Sequence, residues 1–433
     1  MLSFGRRFLR QIGTASLASL GLLSATLVAE AGTLKVMFQG DPYEIQAISD
    51  AAKRFEQANS GTTVELINTP HDAYNEKFGS MASSNTLPDV IELDAPFLAN
   101  YVWSGYLQPI SGLVDQSLIN DMTKSNVSQG TYPPDGKLYA IGLTDSTVVL
   151  YGSRKQLEAL KIRIPKSVDD AWTKDEFEGA LKALAISGVK WPIDLFRAYG
   201  TKTEWIPYAY EPILISMGCD LIDRATWKAT GMLDSQACVD ATTMMQTWVK
   251  QGWVVPQSAG QNQFYTEGRP AALAWGGHWF YAEASAKMGD DLVAMPLPKF
   301  GAKSASPNGT WIYAISKTSS DPALAGKFLS FMLTDKAYRE SYKAHTGFPG
   351  LKSFAAESPT YADKGAMATA FEQASKSAVP RPPHPGYPTI TLAFQVAMTN
   401  IFDGADPKTE LAKAAKKIDD DIADNSGYAP FGK

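Results

Sequence analysis

The sequence predicts an α/β fold built on parallel sheets. Three observations carry that expectation. Short apolar strands alternate with helices of ten to fifteen residues over the first hundred residues, aspartates stand at or just beyond the strand ends, and helical periodicity dominates from about residue 151. With 433 residues, 45% hydrophobic and 20% charged, the chain reads as an ordinary globular protein long enough for two or more domains.

The first thirty-one residues stand apart from the fold. Arg6, Arg7 and Arg10 precede an uncharged stretch rich in Leu and Ala over 12–28, and Ala29-Glu30-Ala31 ends it with small residues where a signal peptidase reads. Cleavage after Ala31 and export are expected. No cysteine lies near that point to carry a lipid, so the periplasm is the expected compartment. Removing three arginines and one glutamate takes the formal charge from −5 to −7. No basic run offers a phosphate footprint, so nucleic acid is not expected as a partner.

The elements then follow in order. A strand is expected over 33–38, a turn at Gly40-Asp41-Pro42, and an amphipathic helix over 43–58. A second strand over 64–67, a helix over 72–83 and a third strand over 89–93 complete two βαβ units. Ligands of such sheets bind beyond the carboxyl ends of the strands, which singles out Asp41, Asp94 and Asp145. Helical spacing continues over 155–160, 174–187, 207–217 and 234–251, with Thr173 as an N-cap ahead of Asp175 and Glu176. Strands return over 292–295 and 310–315, and helices over 322–333, 335–344, 391–402 and 407–423. The proline-rich run at 380–385 reads as an ordered loop.

Cys219 and Cys238 are nineteen residues apart and, in an oxidising compartment, are expected to pair; two small buried side chains are the alternative. There is no CxxC, and the four histidines (His71, His278, His345, His384) lack HExxH spacing, so no metal, cofactor or redox role is expected.

Several separated stretches resemble the family of extracellular solute-binding proteins of ABC importers that includes the maltose-binding protein. They are Arg54-Phe55-Glu56-Gln57-Ala58, Leu87-Pro88-Asp89-Val90, Gly105-Tyr106-Leu107-Gln108-Pro109, Asp135-Gly136-Lys137-Leu138-Tyr139, Ala294-Met295-Pro296-Leu297-Pro298 and Asp403-Gly404-Ala405-Asp406-Pro407. Each is weak alone, and their joint order spans about residues 33–425. The resemblance implies a two-lobed periplasmic-binding-protein fold with a ligand cleft and a hinge between the lobes. It places the first lobe at 32–145, completed by about 292–340, and the second at 146–291, completed by about 341–433. It further implies a monomer that binds a mono- or oligosaccharide and delivers it to the membrane permease subunits of an ABC importer.

Sugar sites need aromatic faces for the apolar side of the ring and polar groups for its hydroxyls. Asp94 and Asp145, with Ser146 beside the latter, match hydroxyl-binding positions of the family, and Asp41 lies in a loop that lines the cleft in relatives. In Trp275-Gly276-Gly277-His278-Trp279, Gly277 lets backbone approach a ligand, His278 reads as a neutral hydrogen-bonding group, and Trp279 aligns with a stacking tryptophan. Tyr199 and Trp205, the Gly309 to Trp311 segment, and Tyr387 complete the candidate set.

Two other functions fit the same sequence features. A polyol or a glycerol-phosphate-type ligand is one; an anionic ligand of that kind would want an arginine fork, for which Arg197 and Arg381 are the candidates, both expected on the solvated surface. A secreted glycoside hydrolase would also use two carboxylates among aromatics.

Overall fold

The computed structural model describes residues 32–431, so the expected leader and its cleavage point lie outside the described residues. Strand β1 (Thr33–Phe38) buries Leu34, Val36 and Phe38 on one face and Met37 on the other, the burial of a central strand. Helix α1 (Pro42–Ala58) begins where Glu44 reaches back to accept from the Asp41 backbone N–H at 2.8 Å, with Pro42 in the first turn. Its stripe of Ala47, Ile48, Ala51, Ala52 and Phe55 packs on the sheet. Strands β2 (Thr63–Asn68) and β3 (Val90–Asp94), with helix α2 (Tyr74–Ser83) between them, pair in parallel on either side of β1.

A second sheet runs in the order β5-β6-β4-β7, from β4 (Val148–Ser153), β5 (Trp191–Asp194), β6 (Ala271–Gly277) and β7 (Leu292–Met295). Helices α3 (Trp205–Ser216) and α4 (Gln236–Lys250) belong to its lobe. Cys219, just past α3, is disulfide-bonded to Cys238 in α4, with a Cα–Cα distance of 5.6 Å. The chain returns to the first sheet at β8 (Trp311–Ser316), antiparallel to β3. Helices α5 (Pro322–Thr334) and α6 (Lys336–Ala344) then pack on α1. Helices α7 (Tyr387–Phe402) and α8 (Pro407–Asp424) close the second lobe against α3 and α4.

Two boundaries differ from the sequence reading. The 292–295 strand, expected to complete the first lobe, pairs with β4 because Val293 and Met295 bury into the second core. Conversely Tyr342, Leu351 and Phe354, expected in the second lobe, bury in the first-lobe core beside Phe55 and Phe328. The chain crosses between lobes three times, and two short ladders lie at these crossings. Thr144–Asp145 pairs with Phe348–Pro349, and Ser306–Asn308 with Ala378–Pro380.

Candidate ligand-binding site

A cavity of about 610 Å³ opens between the two sheets. Its first-lobe wall comes from the ends of β1, β3 and β8 and the start of α1; its second-lobe wall comes from the segments around α3 and after β6. Of the twelve residues expected to meet a ligand, ten line it: Asp41, Asp94, Asp145, Ser146, Tyr199, Trp205, His278, Trp279, Gly309 and Trp311. Two do not. A Cβ on Gly277 would fall 2.3 Å from the Trp279 ring, so that glycine allows the indole to fold over its own backbone. Tyr387 is wholly buried and donates to Glu204 Oε2 at 2.6 Å, behind the cavity wall.

Arg381 overturns the surface expectation. It is 6% exposed and lines the cavity. Nη1 and Nη2 donate to Asp94 at 2.9 and 2.6 Å, a bidentate fork, and Nη1 also donates to Glu204 at 2.8 Å. The guanidinium sits 5.2 Å from the Tyr208 ring centroid. Gly309 makes room for it, since a Cβ there would stand 2.7 Å from Nη2. Thr391 and Gln395 of α7 donate to the other oxygen of Glu204. Asp94 ends a first-lobe strand and Glu204 opens a second-lobe helix, so Arg381 is a strut between the lobes. Arg197, the other arginine considered, lies outside the cavity, 3.7 Å from Asp403 and over the Phe402 ring.

Asp145 is held at the first crossing by four donors: Ser125 at 2.5 Å, the Ser146 N–H at 2.7 Å, Asn308 at 2.9 Å and Gln129 at 3.1 Å. Burial still raises its carboxyl. Ser146 Oγ lies 2.7 Å from the Tyr208 hydroxyl. Burial pushes His278 down to about 3, so the imidazole is neutral. Its Nδ1 has no hydrogen-bond partner among the described residues. Trp279 is the most open aromatic of the wall at 37% exposed, with Trp205 and Tyr208 rings 6.1 and 6.2 Å away.

Sequence reasoning passed over the far end of the first-lobe wall, where Tyr43, Glu44, Glu92, Tyr313, Tyr338 and Tyr342 line the cavity. Glu92 carried a signal: it is a charge inside the apolar strand Val90–Asp94, on the same face as Asp94. Arg381 carried one too, as a charge within an ordered proline-rich loop.

Two α/β lobes, three crossings and a polar, aromatic cavity between them define a two-lobed solute receptor. The chain belongs to the family of bacterial extracellular solute-binding proteins, whose profile matches residues 50–369. A binding protein of Brucella abortus (strain 2308) is 22% identical over 418 residues, covering 93% of this chain and 96% of that one. The GacH receptor of Streptomyces glaucescens GLA.O, solved unliganded and with acarbose, superposes with a TM-score of 0.74 at 22% identity, over 93% of this chain and 99% of that one. A substrate-binding protein from Listeria monocytogenes in complex with cycloalternan gives a TM-score of 0.75 at 18% identity, over 90% and 99%. Among the described residues no helix is long and apolar enough to cross a membrane.

Proposed function

We propose that this chain is the periplasmic receptor of an ABC importer, capturing a carbohydrate between its lobes and presenting it to the permease subunits. One observation carries the reading: Trp279 of the second lobe and Trp311 of the first line the same cavity as the carboxylates and hydroxyls at the strand ends. The structural neighbours solved with acarbose and cycloalternan support it. In this reading the mature protein begins near Gly32 and acts as a monomer. The first lobe takes residues 32–145 and about 306–356, and the second takes the rest. The three crossings absorb the dihedral changes of closure.

The glycerol-phosphate alternative loses support because neither arginine offers a free fork: Arg381 is already claimed by two carboxylates and Arg197 by Asp403. A hydrolase needs one carboxylic acid and one carboxylate facing the substrate. Of the two carboxylates the sequence singled out for that role, Asp94 is held by Arg381 and Asp145 by its four donors, so that pair is not free to act.

A thermal-shift screen of the mature protein against mono-, di- and oligosaccharides, polyols and glycerol phosphates tests the reading. A saccharide is expected to raise the melting temperature with no release of reducing sugar on overnight incubation. Stabilisation by glycerol phosphates alone, or reducing-sugar release, would contradict it.

A further inference from the structure

We propose that the first-lobe end of the cavity, between Glu44 and Glu92 and among Tyr43, Tyr313, Tyr338 and Tyr342, receives a protonated amino group, so that the ligand is an amino sugar. This rests on the carbohydrate reading above and sharpens it.

Among the described residues, seven carboxylates line the cavity (Asp41, Glu44, Glu92, Asp94, Asp145, Glu204 and Glu283) against one arginine. Arg381 is engaged by Asp94 and Glu204, Glu283 has Lys287 at 2.9 Å, and Asp145 has its four neutral donors. Asp41 is exposed at the start of α1. Glu92 is 5% exposed and accepts from the Gln39 N–H at 2.9 Å, and half-buried Glu44 accepts from the Asp41 N–H at 2.8 Å. Among the described residues, no lysine or arginine pairs with either of them. Burying like charges together without a cation is costly. Consistent with that, burial pushes Glu92 up to about 8 and Glu44 to about 7.

The surrounding rings are an independent pointer. Tyr43, Tyr313, Tyr338 and Tyr342 all line this end. Tyr43 is held by stacking on His345, with centroids 4.0 Å apart and planes within 8°. The Tyr338 hydroxyl lies 3.2 Å from that of Tyr342 and 3.5 Å from that of Tyr313. Aromatic rings grouped around carboxylates suit a cation, through both ring quadrupole and counter-charge. A neutral hydroxyl would meet the two carboxyls in the protonated form that burial favours, whereas an ammonium group would hold them ionised and gain their charge.

Calorimetric titration of the mature protein with matched sets decides the matter. Each set holds a neutral saccharide, its 2-amino-2-deoxy analogue and the N-acetylated form, which keeps the nitrogen and removes the charge. The amine is expected to bind at least about tenfold tighter than both others, a difference near 1.4 kcal/mol. Glu92→Gln and, separately, Glu44→Gln should each shrink that preference. Equal or better binding of the neutral parent overturns the amine site and leaves carbohydrate capture standing. Full preference retained in both variants overturns the placement at this end of the cavity. Failure of every saccharide to bind, amine-bearing or not, overturns the carbohydrate reading itself and this inference with it.

Discussion

Arg381 shows how a single residue can organise a cleft from far away in sequence. Its fork to Asp94 and its bond to Glu204 bring together an arginine and two carboxyls, Arg381 and Asp94 buried and Glu204 nearly so. Asp94 was legible from its place at a strand end, but its partner stands 287 residues away, and no local pattern connects the two. Arg381→Met would leave buried Asp94 and nearly buried Glu204 without their cation, at a cost of about 3–5 kcal/mol. That corresponds to a fall of about 5 °C in melting temperature for a chain of this size. An unchanged melting temperature would show that the strut carries no weight. Glu92 gives a pH signature. Its carboxyl is raised to about 8 by burial, so between its ordinary value and about 8 the folded state holds a proton that the unfolded chain has released. Its contribution to stability is therefore present at acid pH and lost as pH rises through 8. Other raised carboxyls, such as Asp194 near 6, act in the same direction, so the comparison with Glu92→Gln isolates the one group. Between pH 6.5 and 8.5, differential scanning fluorimetry of the unliganded protein should show the variant gaining on the wild type by about 1–2 °C. Parallel curves would mean that Glu92 ionises freely in the folded state.

At the scale of elements, what could be read from sequence was what local periodicity encodes. Helix α1 declared itself through its amphipathic spacing after the Gly-Asp-Pro turn. The helix Lys174–Ile186 did so through the N-cap Thr173 and its acidic first turn, and the structure adds that Thr173 and Glu176 cap each other reciprocally. Helix α3 is buried along its whole length, so it has no polar face to set a period; its predicted start fell two residues late. Strand β5, only four residues long, and the helix Ala368–Ser377 went unread. The 292–295 strand was recognised, yet its sheet was misplaced, because an apolar run says that a strand is buried and not which neighbour covers it. The Cys219–Cys238 bond belongs to this scale as well, tying the end of α3 to α4 across nineteen residues. Replacing both cysteines by alanine should lower stability by about 3 kcal/mol, or about 4 °C, through the larger freedom of the unfolded chain. Identical melting curves with and without the bond would show that packing alone holds these helices.

For the whole molecule, the lobes and the cleft follow from two sheets joined by three crossings, and the family match over 50–369 agrees with that architecture. The second-lobe wall of the site was mostly legible, since Tyr199, Trp205, His278 and Trp279 all open on the cavity. The first-lobe end was not, because Tyr43, Glu92, Tyr313, Tyr338 and Tyr342 come from four separate elements that meet only in three dimensions. Capture of a carbohydrate in this cavity is tested most directly by titration calorimetry of the chain from residue 32 onward and of its Trp279→Ala variant. The account predicts saturable binding of a saccharide at one site per chain, weakened about tenfold in the variant through loss of the stacking face. Absence of binding across neutral and amino saccharides of every length, or binding that the tryptophan does not influence, would contradict it.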